Sequence, residues 1–299
     1  MAHSIPEAAC EVKAMMKRIV LPETMEVPQF VEAPQRTTSW ADLEPSLPHL
    51  LRRLAPISLD EMAEVALLDR SETKFVFHED RLPELLAAVA NEYRVLEING
   101  NRLNHYRTLY FDTPEFTLFR RHQAGGRNRY KVRSRTYLDT DLSFMEVKHK
   151  VSADRTVKSR VKTAEFVERI SPRTVAFLNT HLPANNWTLE PKLWNQYTRI
   201  TLVGRHTPER VTIDLELQFV TNEGRAMRLP GLVIAEVKRD GAMHDSPFIR
   251  HMRAMSLRPT GFSKYCVGVS LLYDEVKHNH FKPQLRMVGK ILQEGNYVN

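Results

Sequence analysis

Arg129-Tyr130-Lys131-Val132-Arg133-Ser134-Arg135 places a cationic side chain at every second position. In a β-strand successive side chains point to opposite faces, so Arg129, Lys131, Arg133 and Arg135 share one side. The same spacing returns in Arg70-x-Glu72-x-Lys74, Glu146-x-Lys148, Lys158-x-Arg160, Tyr197-x-Arg199, Arg210-x-Thr212-x-Asp214-x-Glu216 and Glu236-x-Lys238. One such strand would be an ordinary solvated face. Seven, several with an apolar opposite face, imply a sheet whose charged side serves one purpose. The simplest is a polyanion held beside metal-binding carboxylates.

The chain has 299 residues, enough to bury a substantial core in one large domain or two small ones. Its net charge of +7 favours anionic partners such as nucleic acid, anionic lipid, nucleotides or phosphate chains. Cys10 and Cys266 are the only cysteines, too far apart in sequence for a disulfide framework or a metal motif. A reducing, cytoplasmic setting is therefore expected. No run of 18 apolar residues is long enough to span a membrane, and Glu7, Glu11 and Lys13 stand where a signal peptide needs apolar residues.

Residues 1–57 hold seven of the 17 prolines, which block long helices, and read as an extended arm with a short helix around 8–19. The folded body is expected over 58–290, with a tail at 291–299. Ser58 and Glu61 fit a capping box opening a helix through Leu68. Leu82, Leu85, Leu86, Val89 and Tyr93 recur at helical spacing over about 81–93. Strands are predicted at 69–77, 104–112, 127–137, 142–150, 156–163, 196–203, 209–219 and 231–238. Ser171-Pro172 and Ser246-Pro247 each open a helix, the first running to His181, and a last helix covers 264–274. Several connections are too short for parallel crossovers, so the sheet should be largely antiparallel.

In 209–217 the odd positions Val211, Ile213, Leu215 and Leu217 are apolar, and the even ones are Arg210, Thr212, Asp214 and Glu216. Two geometries bury the apolar face. In one it is a sandwich core and the charges are solvated. In the other the sheet closes into a barrel, helices cover the apolar outside and the charges line the lumen. Amphipathic helices able to cover an outer face, the recurring Glu-x-Lys pairs and the removal of sheet edges favour the barrel. The expected fold is therefore α+β, an eight-stranded, mainly antiparallel closed β-barrel covered by helices. Its lumen would gather Lys74, Lys131, Arg133, Arg135, Lys148, Lys158, Arg160, Arg199, Arg210, Lys238 and Lys264, a set that demands water and a multivalent anion. Arginine forks suit phosphate oxygens, and the carboxylates suit a hard divalent ion, Mg²⁺ or Mn²⁺.

Read in order, these segments resemble the polyphosphate polymerase domain of the vacuolar transporter chaperone (VTC) family, within the triphosphate tunnel metalloenzymes. The stretches that carry the resemblance are Arg70-Ser-Glu72-Thr-Lys74-Phe, Tyr110-Phe-Asp-Thr-Pro114, Arg129 through Tyr137, Phe144-Met-Glu146-Val-Lys148 and Thr156-Val-Lys158-Ser-Arg160. Tyr197-Thr-Arg199, Glu209-Arg210-Val-Thr-Ile-Asp214, Ala235-Glu236-Val-Lys238 and Ser263-Lys264-Tyr265 complete them. Each motif alone is weak; nine in order over about residues 57–290 are specific.

The resemblance implies a tunnel that binds ATP or another triphosphate with Mn²⁺ or Mg²⁺ and adds the γ-phosphate to inorganic polyphosphate. By the same motifs, Lys74, Arg133, Arg135, Lys148, Lys158, Arg199, Arg210 and Lys264 would bind phosphates. Arg160 and Lys238 join them from the charge pattern, and Arg70, Lys131, Tyr197 and Ser263 are further substrate-binding candidates. Glu236 would be the main metal ligand, with Glu72, Glu146 and Asp214 as lesser ones. Hydrolysing relatives typically begin with Glu-x-Glu-x-Lys; Arg70 in the first position favours polymerisation. The phosphate-sensing domain and membrane helices of the eukaryotic subunits are not visible in this sequence.

Two rivals use the same residues. A triphosphatase would release orthophosphate, and a polyanion- or RNA-binding module would use 127–137 as a basic ribbon, salt-sensitive and metal-independent; nucleic acid is not the expected partner. Taken singly, Glu146 and Glu236 are also candidates for in-strand salt bridges to Lys148 and Lys238, and Lys264 for decorating a helix. Tyr197 suits packing or orientation better than catalysis, and Arg127 and Arg129 suit a solvated mouth. Asp112-Thr113-Pro114 reads as a turn, Met252 and Met255 as core, and His78, His149 and His244 as surface residues.

Overall fold

Alternating residues become strands, and helically spaced apolar residues become the covers of one face of the resulting sheet. The computed structural model describes residues 46–64, 70–126, 128–152, 155–183, 187–240 and 246–294. The expected arm helix at 8–19, Cys10, Arg127 and His244 lie outside the described residues. From the N-terminus come α1 (Leu47–Arg52), β1 (Ala55–Ile57), α2 (Leu59–Glu64), β2 (Arg70–His78), α3 (Leu82–Val89), β3 (Tyr93–Leu96) and β4 (Asn104–Asp112). Then follow α4 (Thr117–Gln123), β5 (Arg129–Tyr137), β6 (Leu142–Lys150), β7 (Thr156–Thr163), α5 (Pro172–His181), β8 (Glu190–Gly204) and β9 (Glu209–Thr221). The last are β10 (Ala226–Leu229), β11 (Leu232–Asp240), α6 (Pro247–Ala254), α7 (Lys264–Leu272) and α8 (Lys282–Glu294).

Eight long strands run in the order β2-β11-β9-β8-β4-β5-β6-β7, every neighbouring pair antiparallel. Three short strands bring the sheet to 11, and of these β1 pairs with β3 in parallel. The α+β, mainly antiparallel expectation stands, but closure of the barrel by backbone pairing does not: among the described residues β2 and β7 pair with no strand beyond the ends of that path. The outer strand β7 is exposed or half-buried throughout and carries Lys158, Arg160 and Lys162, charges that discourage edge-to-edge pairing.

The sheet instead curls, and its two faces differ. The convex side is apolar. Phe75, Phe77, Ile213, Leu215, Val233, Ala235 and Val237 form one core with α1, α3 and α6. Leu109, Phe111, Val132, Met145 and Val147 form another with Val175 and Leu178 of α5. The concave side is charged over most of its length, and one part of it is filled by α7, packed on Leu193, Phe219 and Ile234.

Local chemistry explains the departures from the sequence reading. Glu216 has φ 54° at a register shift between β8 and β9, so two residues oppose one and the alternation resets. Leu217 consequently joins the core under α7 while Leu215 remains on the convex side, and Glu216 turns out to accept a 2.7 Å hydrogen bond from Thr198. Strand β8 begins earlier than expected because Pro191 sits at a second register shift, one of the few places a sheet accommodates proline. Buried Leu47, Leu50 and Leu51 carry the packed chain N-terminal to Ser58. Helix 264–274 is not the last: Pro283 suits a helical first turn, and α8 buries Val288 and Ile291. The capping box is present, Ser58 N–H to Glu61 Oε2 at 2.9 Å and Glu61 N–H to Ser58 Oγ at 3.2 Å.

Gly268 lets α7 sit so close. A Cβ there would stand 2.5 Å from Leu193 Cδ2 and 2.7 Å from Phe219 Cδ1, both in a filled core. Gly268→Val should therefore destabilise the protein by about 1–3 kcal/mol in urea denaturation, and an unchanged midpoint would mean that α7 is not seated on β8 and β9 as described.

Candidate active site

Because side chains at i and i+2 share a strand face, the curl brings the charged faces of β2, β11, β9, β8, β4, β5, β6 and β7 toward one lumen. Contacts reach across it between elements far apart in the sheet order. Lys148 of β6 lies 3.5 Å from Glu72 of β2. Lys131 of β5 reaches Ser263 Oγ, at the N-cap of α7, at 2.9 Å, and Lys74 of β2 donates to the Phe262 carbonyl at 3.3 Å.

Three carboxylates, two buried and one half-buried, organise these charges, and each is shared by two cations. Glu146 accepts from Arg133 (2.6 Å) and forms an ion pair with Lys158 (2.6 Å). Asp214 is held by Arg199, at 2.5 and 2.8 Å to its two oxygens, and by Lys264. Glu236 meets Lys238 at 2.5 Å and Lys74 at 3.2 Å. Glu146 and Asp214 are 1% and 4% exposed, so these ions are almost out of water. A buried ion is tolerated only when its partners compensate the lost hydration.

The expected in-strand pairs are only partly what forms. Glu236 does bond Lys238, but Glu146 turns to the neighbouring strands instead of Lys148, which pairs with Glu72 of β2. Register accounts for part of this: Glu146 stands directly opposite Arg133 on β5, whereas Lys158 of β7 stands opposite Lys148 and reaches Glu146 diagonally. Lys264 is not a surface decoration either; it pairs with Asp214 and lies 4.5 Å from the Tyr197 ring centre.

The titration behaviour follows the pairing. Burial alone would raise all three carboxyls, but Arg133, Arg135 and Lys158 drive Glu146 well below the usual range. Arg199 and Lys264 hold Asp214 at about 2, and Lys238 and Lys74 hold Glu236 well below its ordinary value. Among the cations, burial and the adjacent Arg133 bring Lys158 down to about 7 despite Glu146. Burial also lowers Lys238 and Lys264. In Lys74 burial is outweighed by Glu236 and Glu72, and its pKa rises.

The remaining expected residues fall around these three centres. Arg135 is buried, with Nε donating to Thr108 Oγ1 at 3.2 Å. Arg160 lies on the outer strand over the Phe144 ring, at 4.8 Å. Arg210 stands opposite Lys238 on the same face. Arg70 opens β2, but its side chain lies outside the described residues. Tyr197 is buried and stacks on Tyr106 at 5.2 Å, Arg199 lies over both rings, and among the described residues the Tyr197 hydroxyl has no hydrogen-bond partner. Arg129 is half-buried at the start of its strand. Burial raises the Tyr197 hydroxyl.

Sequence reasoning passed over β4, whose Tyr106, Thr108 and Tyr110 face Tyr137, Arg135 and Arg133 across the ladder. The signal was there: polar aromatic residues at period two beside the most basic strand. Asp112 proves more than a turn residue. It accepts from the Leu118 and Phe119 amides at the start of α4 and from the Tyr265 hydroxyl, tying α7 to β4. His149 stacks on Tyr130 and bonds Asn128, His78 pairs with Asp80, and Met252 and Met255 are core.

Among the described residues no three His, Cys, Asp or Glu side chains come together as a ready-made metal cage. Glu236 and Glu72 are the pair that fits a hard divalent ion. They project from adjacent strands β11 and β2 and share the influence of Lys74 and Lys238. A Mg²⁺-type site needs only one or two carboxylates when substrate phosphates and water complete the shell. Glu146 and Asp214, 1% and 4% exposed against 20% for Glu236 and 30% for Glu72, leave less room for water and phosphate in such a shell.

The family model described as the VTC domain matches residues 69–273, and the chain belongs to that family. Solved structures similar to it include an adenylate cyclase-like protein (titled putative) from Bacillus halodurans, at 12% identity and TM-score 0.43, covering 69% of this chain and 100% of that one. Another is the adenylyl cyclase-like HpAC1 from Hippeastrum, described as having a dominant triphosphatase activity, at 12% identity and TM-score 0.39, covering 71% and 100%. The S. pombe Pct1 RNA triphosphatase aligns at 11% identity and TM-score 0.26, over 88% and 98%. No curated protein matches the chain in sequence. Resemblances this distant leave the chemistry to be argued from the lumen itself. No helix among the described residues is long and apolar enough to cross a membrane.

The low value of Asp214 has a stability consequence. A folded-state carboxyl near 2, against an unfolded value near 4, contributes stability above about pH 4 that is lost as pH falls toward 2. Between those limits the protein should lose on the order of 2 kcal/mol more than Asp214→Asn does, in urea titrations at stepped pH. Parallel acid limbs for the two proteins would contradict the ion pairing described.

Proposed function

We propose that the lumen binds the triphosphate of ATP with a divalent metal and transfers its γ-phosphoryl group to the end of an inorganic polyphosphate chain. The observation that carries this reading is the sharing of Glu146, Asp214 and Glu236 by two cations each. Each such centre retains a surplus positive charge. A row of surplus charges along a concave wall is complementary to a row of phosphates, and Arg133 and Arg199 offer the planar forks that hold phosphate oxygens bidentately.

The chemistry asks for position and charge stabilisation more than for a nucleophilic side chain. Arg133 with Lys158, and Arg199 with Lys264, hold successive phosphates in line; Glu146 and Asp214 hold these four cations in place before substrate arrives. Charge that develops on the transferred oxygens meets donors already oriented, which is where electrostatic catalysis is largest. The attacking polyphosphate terminus is itself anionic and needs no base. Glu236 and Glu72 would hold Mg²⁺ or Mn²⁺, which when bound supplies Lewis-acid charge to phosphate oxygens. The family supports polymerisation through the motifs quoted above, with Arg70 in place of the first glutamate of hydrolytic members.

Incubation with ATP and Mn²⁺ or Mg²⁺ should yield phosphate polymer resolvable on a gel. Free orthophosphate as the sole product would reject polymerisation in favour of a triphosphatase. Glu236→Gln should lower turnover by about 10²-fold or more; a variant that keeps salt-sensitive polyanion binding and loses nothing else would point to a non-catalytic module. Tripolyphosphate at a hundred times its Kd should add about 2.7 kcal/mol of stability, visible as a raised Tm, and sulfate much less.

A further inference from the structure

Five lumen lysines answer to a carboxylate: Lys74 and Lys238 to Glu236, Lys158 to Glu146, Lys264 to Asp214 and Lys148 to Glu72. Lys131 does not. Among the described residues its Nζ has one hydrogen-bond partner, the neutral hydroxyl of Ser263 at 2.9 Å. Its surroundings are mostly cationic: Lys148 directly across on β6, Arg133 on its own strand and Lys74 on β2. From the N-cap and first turn of α7 it faces Ser263 and the buried Cys266 thiol, and from α4 the half-buried His122, which burial and then Lys131 hold neutral. The carboxylates beside its cationic neighbours, Glu72 and Glu236, are occupied by Lys148, Lys74 and Lys238.

Resting on the reading that this lumen takes phosphate chains, we propose that Lys131 is a binding residue charged by its own ligand. Above about pH 8, an entering phosphate chain draws a proton from solvent onto Lys131 Nζ, and the ammonium exchanges Ser263 Oγ for a phosphate oxygen. No covalent bond is made or broken apart from the new N–H. Ser263 keeps its second role, accepting from the Cys266 amide at 3.2 Å, so α7 stays capped when the lysine leaves.

The geometry alone requires the direction of this coupling. A buried ammonium among Lys148, Arg133 and Lys74 lacks a counter-ion until a polyanion arrives, and the polyanion supplies it. Burial, opposed by Cys266 and then reinforced by Lys74, Lys148 and Arg133, brings the group down to about 8 in the empty lumen. Phosphate at Nζ raises it. Binding through Lys131 is therefore strongest below the empty-lumen value and weakens as pH rises through it.

Isothermal calorimetry with inorganic tripolyphosphate and no metal, at pH 9 in buffers of different ionisation heat, counts the protons taken up. The wild-type protein should take up about one proton more per chain bound than Lys131→Arg, which is charged throughout, or Lys131→Gln, which never is. From pH 8 to 9 the wild-type Kd should rise about fivefold more than that of Lys131→Arg. Equal proton uptake and equal pH dependence in wild type and both variants would overturn the role of Lys131 while leaving the phosphate lumen intact. Failure of tripolyphosphate to bind the wild-type protein at all would overturn both.

Discussion

Two cations on each of Glu146, Asp214 and Glu236 is the constraint on which this charged wall depends. With fewer cations, Glu146, Asp214 and Glu236 would be unpaired charges away from water, each costing several kcal/mol. With no carboxylates, the clustered lysines and arginines would repel one another and hold no fixed geometry. The chosen ratio keeps the wall folded and still leaves it electropositive. Removing one member of such a network uncovers its partners, so the stability of the lumen and its affinity for anions are two readings of one electrostatic balance.

The convex side makes that balance affordable. Helices α1, α3, α5 and α6 cover the apolar face, and their cores supply the burial that offsets the strain of ordering many long charged side chains. Helix α7 does something different. It packs on the concave side through Gly268 and delivers Ser263 and Lys264 to the charged lumen, anchored by the Tyr265–Asp112 hydrogen bond. A single helix thus joins the packing of the fold to the wiring of the site, and the Asp112-Thr113-Pro114 turn becomes a support for residues far from it in sequence.

Period-two alternation was legible in the sequence because it depends only on neighbouring residues. It marked β2, β4, β5, β6, β7, β9 and β11 to within a residue or two at most ends, together with the cationic set and the four acidic candidates. The serine–proline pairs marked α5 and α6 for the same reason, since an N-cap and a first-turn proline act locally. The bulge at Glu216, the long start of β8, the short β1, β3 and β10, and α8 were not legible. A register shift is imposed by the partner strand, and short strands exist only because a neighbour pairs with them.

What the sequence determined by itself was which side chains share a face, their excess of positive charge and the family they resemble. Which cation neutralises which carboxylate was decided only by the tertiary structure. Cross-strand distances set that choice: Glu146 took Arg133 and Lys158 rather than Lys148, and Glu72 took Lys148 across the lumen. Lys131 was left facing a hydroxyl for the same reason, since the curl of the sheet brought it to α7 and gave every nearby carboxylate to another lysine. Ion pairing acts over a few ångströms in space, and no local pattern along the chain encodes those distances.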